Sequence, residues 1–125
     1  MIAGGAATRF GGKPKGLEQV GGERILDRVV AALHFATGEP PLLVANAPDA
    51  PRWRPDLHTV PDARPGCGSL GGIYTAVTAG AGPVLAVAWD MPFVPVALLR
   101  ALLDESPAYD VFVPESDGRR GVEPL

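Results

Sequence analysis

Short apolar runs that end on glycine, asparagine or aspartate, alternating with longer stretches of helical spacing, constrain this chain more than any other feature. Met1-Ile2-Ala3 stops at Gly4-Gly5, Leu42-Leu43-Val44-Ala45 at Asn46, Leu57 to Val60 at Asp62, and Pro83 to Ala88 at Trp89-Asp90. Between them Ile25, Leu26, Val29, Val30 and Leu33 recur at amphipathic spacing, which predicts a helix from about Glu23 to Ala36, stopped by Gly38 and Pro40-Pro41. Gly71 to Ala79 and Pro95 to Glu105 read as further helices, Val111 to Val113 as a last strand, and Pro48 to Pro55 as a loop in which Trp53 covers an apolar edge. Strands joined by crossover helices imply βαβ units. The expected fold is therefore α/β, a Rossmann-like, doubly wound and mainly parallel sheet with helices on both faces.

Length and charge narrow the classes. One domain accounts for 125 residues, and a net charge of −3 with 46% hydrophobic residues disfavours disorder. Eleven basic against fourteen acidic residues argue against a nucleic-acid binder that works by bulk charge. A single cysteine, Cys67, excludes an intrachain disulfide and a cysteine-rich zinc site. No apolar run approaches the roughly 20 residues of a membrane span, and the expected location is the cytoplasm. Three residues precede Gly4, where a buried strand usually has about five or six, and an apolar segment begins near Gly121-Val122 just before the last residue. The expectation is one domain over residues 1–125, truncated at both ends and incomplete at its C-terminus.

The segment from Ala3 to Leu17 follows the first strand and carries five glycines with Arg9, Lys13 and Lys15. Glycines bring backbone N–H groups against an anion without a β-carbon in the way, while Arg9 and Lys15 supply charge suited to a polyphosphate. A solvated loop with ordinary surface cations is the plainer reading of Lys13 alone. The Walker pattern fails, because Pro14 follows Gly12-Lys13 where a hydroxyl should reach magnesium. Gly66-Cys67-Gly68-Ser69-Leu70-Gly71 matches a dinucleotide fingerprint formally, but Pro65 and Ala63-Arg64 separate it from its strand.

Gly4, Asn46, Asp62 and Asp90 each fall at the predicted C-terminal end of a different strand, the edge at which open parallel sheets bind ligands. Asp90 could hold magnesium, which keeps several waters and bridges phosphates, or could cap the turn that follows it. Asn46 offers donor and acceptor to a base edge, or forms a turn. Asp62 accepts hydrogen bonds from a purine or ribose, or forms a turn before Ala63-Arg64-Pro65. Arg64 is a phosphate contact or simply exposed. His34 and His58 lack metal-ligand spacing, Cys67 has no paired base, and Trp53 and Trp89 read as packing residues.

Ala3-Gly4-Gly5 through Arg9, with Gly11-Gly12 and Lys15-Gly16-Leu17, resembles the signature of the MobA-like nucleotidyltransferases, and within them the molybdenum cofactor guanylyltransferases. Val44-Ala45-Asn46, Pro61-Asp62 with the loop from Pro65 to Gly72, and Trp89-Asp90-Met91-Pro92-Phe93 follow in the expected order. The likeness runs over nearly the whole chain, roughly the first two-thirds of such an enzyme. It implies GTP as donor, the phosphate of Mo-molybdopterin as acceptor and Mg²⁺ as cofactor. It also implies transient contact with molybdoenzymes or cofactor-insertion proteins. Carried over residue by residue, it assigns nucleotide contacts to Ile2, Ala3, Gly4, Gly5, Gly11, Gly12, Lys15, Asn46, Asp62 and Asp90, catalytic roles to Arg9, Lys15 and Asp90, and the metal to Asp90. It makes Arg119 and Arg120 candidates for anion contact. Pro14 departs from the pattern, since an acidic residue usually precedes the signature lysine. Transfer to a phosphate that is already anionic needs no general base, which suits a sequence with no obvious catalytic dyad. A cytidylyltransferase or sugar-phosphate nucleotidyltransferase, and a non-catalytic nucleotide-binding adaptor, are the alternatives.

Overall fold

A computed structural model describes residues 1–3 and 14–114. The readings made for Gly4, Gly5, Arg9, Gly11, Gly12 and Lys13, and for Arg119 and Arg120, lie outside the described residues. A 3₁₀ turn (Lys15–Leu17) leads into a hairpin of β1 (Gln19–Val20) and β2 (Glu23–Arg24). There follow α1 (Ile25–Thr37), β3 (Leu43–Val44), a short α2 (Ala50–Trp53), β4 (Thr59–Val60), α3 (Ser69–Ala79), α4 (Val96–Glu105) and a second 3₁₀ turn (Ser106–Ala108).

The central sheet is parallel. β3 pairs with β4, Leu43 opposite Thr59 and Val44 opposite Val60, while Ile2 bridges Val44 on one side and Ala88 on the other. Backbone bonds run across all four rows: Ala45 N to Val60 O at 2.9 Å, Ala3 N to Val44 O at 2.8 Å, and Trp89 N to Ile2 O at 3.1 Å. The spatial order is thus β4, β3, the segment at Ile2, then the segment at Ala88. After its first strand the chain moves outward to β3 and β4, then returns past the start to the other side. The direction reverses beside Ile2, where doubly wound sheets open a ligand crevice.

Side-chain alternation on these strands divides the two layers. Met1, Leu43, Ala45 and Val87 join the main core with Leu26, Val29, Val30 and Leu33 of α1 and Leu99 of α4. Ile2 and Val44 are equally buried but stand outside that cluster, and a β-carbon on Gly72 of α3 would lie 2.5 Å from Ile2 Cγ2. α3 buries a face of small residues, Gly71, Gly72, Thr75 and Ala76, and so approaches the sheet closely.

Several boundaries differ from expectation. α1 starts at Ile25 rather than Glu23, because Glu23 and Arg24 are drawn into the hairpin by Gly21 and Gly22, whose φ of 63° and 85° suits a two-residue turn. The loop expected at Pro48 to Pro55 contains α2, with Pro51 in its first turn, where a missing N–H costs nothing. Val111 to Val113 does not form the expected strand: no described segment offers it a ladder, and all three side chains are exposed. Among the described residues no helix is long and apolar enough to cross a membrane.

Candidate functional site at the strand tips

Register alone assembles the site. Val44 pairs with Val60 and bridges Ile2, which in turn bridges Ala88. Asn46, Asp62 and Asp90 each lie two residues beyond these partners, so the three leave the sheet at one level. Trp89 N bonds to Ile2 O, which seats Asp90 beside Ala3, where the glycine-rich segment begins. The strand-tip convergence expected from the sequence is present for these three residues.

Lys15 follows that segment in the sequence. Pro14 opens the 3₁₀ turn with φ −66°, and its carbonyl accepts from Leu17 N at 3.0 Å. Gly16 lets the turn rest on the indole of Trp89: a β-carbon there would lie 2.5 Å from Trp89 Cδ2. Trp89 stacks in turn on Trp53, with centroids 4.9 Å apart. The result brings Lys15 Nζ to 3.8 Å from Asp90 Oδ2, both side chains being substantially exposed. Pro14 removes the acid that the resemblance places next to the lysine, and a carboxylate approaches Lys15 from across the rim instead.

Asp90 does not cap the turn after it. Val94 N closes that turn on Met91 O at 3.3 Å, and among the described residues no backbone N–H donates to the Asp90 carboxylate. One exposed carboxylate with a cation beside it suits a magnesium ion that arrives with phosphate oxygens, since Mg²⁺ takes one or two protein carboxylates and completes its shell with water and substrate. Among the described residues there is no cluster of three or more His, Cys, Asp or Glu side chains that could form a closed metal cage.

Asn46 and Asp62 form a linked pair. Asn46 Oδ1 accepts from Asp62 N at 2.8 Å, and Asp62 Oδ1 accepts from Arg64 N at 2.8 Å and from the Thr75 hydroxyl at 3.0 Å. Asp62 therefore does the turn-forming work considered for it and Asn46 ties two strand ends together, while the Asn46 NH₂ group and Asp62 Oδ2 keep no hydrogen-bond partner among the described residues. Gly71 matters here, since a β-carbon on it would lie 2.6 Å from Asp62 Oδ2.

Ile2 lies within the sheet. It is 7% exposed, its N–H donates to Val87 O at 2.8 Å and its carbonyl accepts from Trp89 N. These bonds make Ile2 part of the sheet from which Ala3 follows. Ala3, half-buried at the rim, donates its N–H to Val44 O. The Arg64 guanidinium lies over the Tyr74 ring, 4.9 Å from its centroid. His34, His58 and Cys67 are exposed.

Sequence reasoning missed Gly16 as the seat for Trp89 and Thr75 as the clamp on Asp62. Thr75 had a signal: it carries the hydroxyl on the otherwise featureless inner face Gly71, Gly72, Thr75, Ala76.

The profile of the MobA-like NTP transferase domain matches residues 1–125, the whole chain. The chain belongs to the MobA-like NTP transferase family. Among members with curated names, the probable molybdenum cofactor guanylyltransferase of Chloroflexus aggregans (strain MD-66 / DSM 9485) is 39% identical over 100% of this chain and 61% of its own length. That of Pelotomaculum thermopropionicum (strain DSM 13744 / JCM 10971 / SI) is 36% identical over 91% of this chain and 55% of its own length. The chain thus spans 55% to 61% of the length of these two relatives. The crystal structure of Rv0371c from Mycobacterium tuberculosis H37Rv shares the fold of this chain with a TM-score of 0.65 at 23% identity, covering 86% of this chain and 58% of that one.

Proposed function

We propose that this MobA-like chain transfers GMP from GTP to the phosphate of Mo-molybdopterin, releasing pyrophosphate and forming the guanine dinucleotide cofactor. The observation that carries this reading is the common level of Asn46, Asp62 and Asp90 at the sheet rim, with Lys15 Nζ 3.8 Å from Asp90. The names of the curated relatives support guanine and the pterin acceptor.

In the proposed step a phosphate oxygen of the acceptor attacks the α-phosphorus of GTP in line. A new P–O bond forms as the bond from the α-phosphorus to the bridging oxygen breaks, and pyrophosphate leaves with that electron pair. The acceptor is already an anion, so the protein's task is positioning and charge stabilisation. Lys15 neutralises developing charge on the triphosphate, and Arg9 with the amides of Gly4, Gly5, Gly11 and Gly12 is assigned to the same anion. Asn46 and Asp62 orient the nucleoside. Asp90 would hold Mg²⁺, which when bound offsets charge on the α-phosphate and leaving group. The proposed reaction takes place in the cytoplasm, where the nucleoside triphosphate donor is available.

The test is pyrophosphate release by the 125-residue chain with GTP, Mg²⁺ and molybdopterin, against CTP and UTP under the same conditions. Release with GTP above both others supports the reading. Preference for CTP or UTP would reassign the base, and GTP binding without release would make the chain a nucleotide-binding adaptor.

A further inference from the structure

Thr75 is 5% exposed and is the buried polar side chain among the described residues. It sits one helical turn after Gly71 on the inner face of α3, beneath the segment that links β4 to α3. A hydroxyl has one proton to donate and lone pairs to accept with. Thr75 Oγ1 accepts from Ala63 N at 2.9 Å, and its one proton is shared between Asp62 Oδ1 at 3.0 Å and Gly71 O at 2.9 Å. The Gly71 carbonyl, four residues earlier in the helix, is the acceptor that any helical threonine has within reach. The bonds to Ala63 and Asp62 are long-range and specific to this fold.

We propose that Thr75 is a positioning residue for nucleotide binding, acting through Asp62; this rests on the reading that Asp62 orients the nucleoside. Asp62 Oδ1 is held from two sides, by Arg64 N at 2.8 Å and by the Thr75 hydroxyl, while Asp62 N is tied to Asn46 Oδ1 at 2.8 Å. These bonds fix the carboxylate in one rotamer and the Asn46 amide in one orientation. Asp62 Oδ2 and the Asn46 NH₂ group, an acceptor and a donor, are thereby presented to a ligand as a prearranged pair. A site whose polar groups are already fixed loses less freedom on binding. Without the Thr75 hydroxyl, Ala63 N–H loses its acceptor and Asp62 Oδ1 one of its two donors, so the segment and the carboxylate become free to rotate. Gly71 completes the arrangement by leaving room for Asp62 Oδ2, which a β-carbon would meet at 2.6 Å.

The experiment is a double-mutant cycle on the full chain, read as the Kd of GTP with Mg²⁺ by calorimetry. Thr75→Val keeps the side-chain shape and removes the hydroxyl, Thr75→Ser restores it, and Asp62→Ala removes the group on which it acts. The expected result is a Kd raised about tenfold by Thr75→Val, a return close to the parent value with Thr75→Ser, and no further loss when Thr75→Val is added to Asp62→Ala. A parent-like Kd for folded Thr75→Val, or losses that simply add in the double variant, would overturn the proposal. Parent-like binding by Asp62→Ala would instead overturn the reading of Asp62, and the proposal with it. Should Thr75→Val not fold, amide exchange in the parent chain decides. Slow exchange at Ala63 and Arg64 that slows further with GTP and Mg²⁺ supports the proposal, and rapid exchange indifferent to nucleotide contradicts it.

Discussion

Lys15 Nζ lies 3.8 Å from Asp90 Oδ2, across a rim that joins the two ends of a separation of 75 residues. Both side chains face water, and exposed pairs of this kind add little to stability. In the proposed site both are held out to the nucleotide. Lys15→Ala should raise the Kd for GTP by about tenfold or more, with a melting temperature close to that of the parent. Calorimetry and thermal melts on the same sample separate the two effects.

Asp90→Asn keeps the shape of the side chain and removes its charge. The gain in GTP affinity on adding Mg²⁺ should largely disappear, as should Mg²⁺-dependent pyrophosphate release, while circular dichroism stays unchanged. Full magnesium-dependent turnover by Asp90→Asn would remove the metal from this residue.

Gly16 is the contact that fixes where Lys15 can be. A β-carbon there would press into the Trp89 ring, which is itself backed by Trp53. Gly16→Ala should destabilise the chain by ~1–3 kcal/mol, because the ring or the 3₁₀ turn must move. Either shift displaces Lys15 from Asp90, so nucleotide affinity should fall as well. Tryptophan fluorescence reports the disturbed stack, and denaturant melts give the loss of stability.

Acid should unfold the chain partly through the start of α1. Burial of Asp27 raises its pKa, but hydrogen bonds from Arg24 and Arg54 outweigh this and hold it below the ordinary 3.8. The hydrogen bond from Arg54 lowers Asp56 to about 2, and the same interaction raises Arg54. Carboxylates whose pKa is depressed by folding stabilise the native state above their unfolded value, and this is lost as pH falls through the folded one. Stability should therefore decline from about pH 4 towards pH 2. Asp27→Asn should flatten that decline and cost ~1–3 kcal/mol at neutral pH, measured by urea melts across the pH range.

The parallel sheet and its rim were legible because strand tips carry their own signal. A run such as Leu42 to Ala45 that stops at Asn46 states both the strand and its end, and parallel register places such ends together. The hairpin at β1 and β2 was not, since Gln19, Val20, Glu23 and Arg24 form pairs too short for alternation to show; Gly21-Gly22 was the available cue. Val111 to Val113 has the composition of a strand, but a strand exists only where a partner offers its backbone. Thr75 and Gly16 act through three-dimensional proximity to Asp62 and Trp89, which spacing in the sequence does not encode.

The central claim is that Ala3, Lys15, Asn46, Asp62 and Asp90 border one nucleotide site. It is tested most directly by titrating ¹⁵N-labelled chain with GTP and Mg²⁺ and following backbone amide resonances. Saturable shifts should be largest at these five residues and small at Gly38, Glu39 and Leu42, at the opposite end of the strands. Shifts centred on Gly38, Glu39 and Leu42, or none that saturate, would contradict the account.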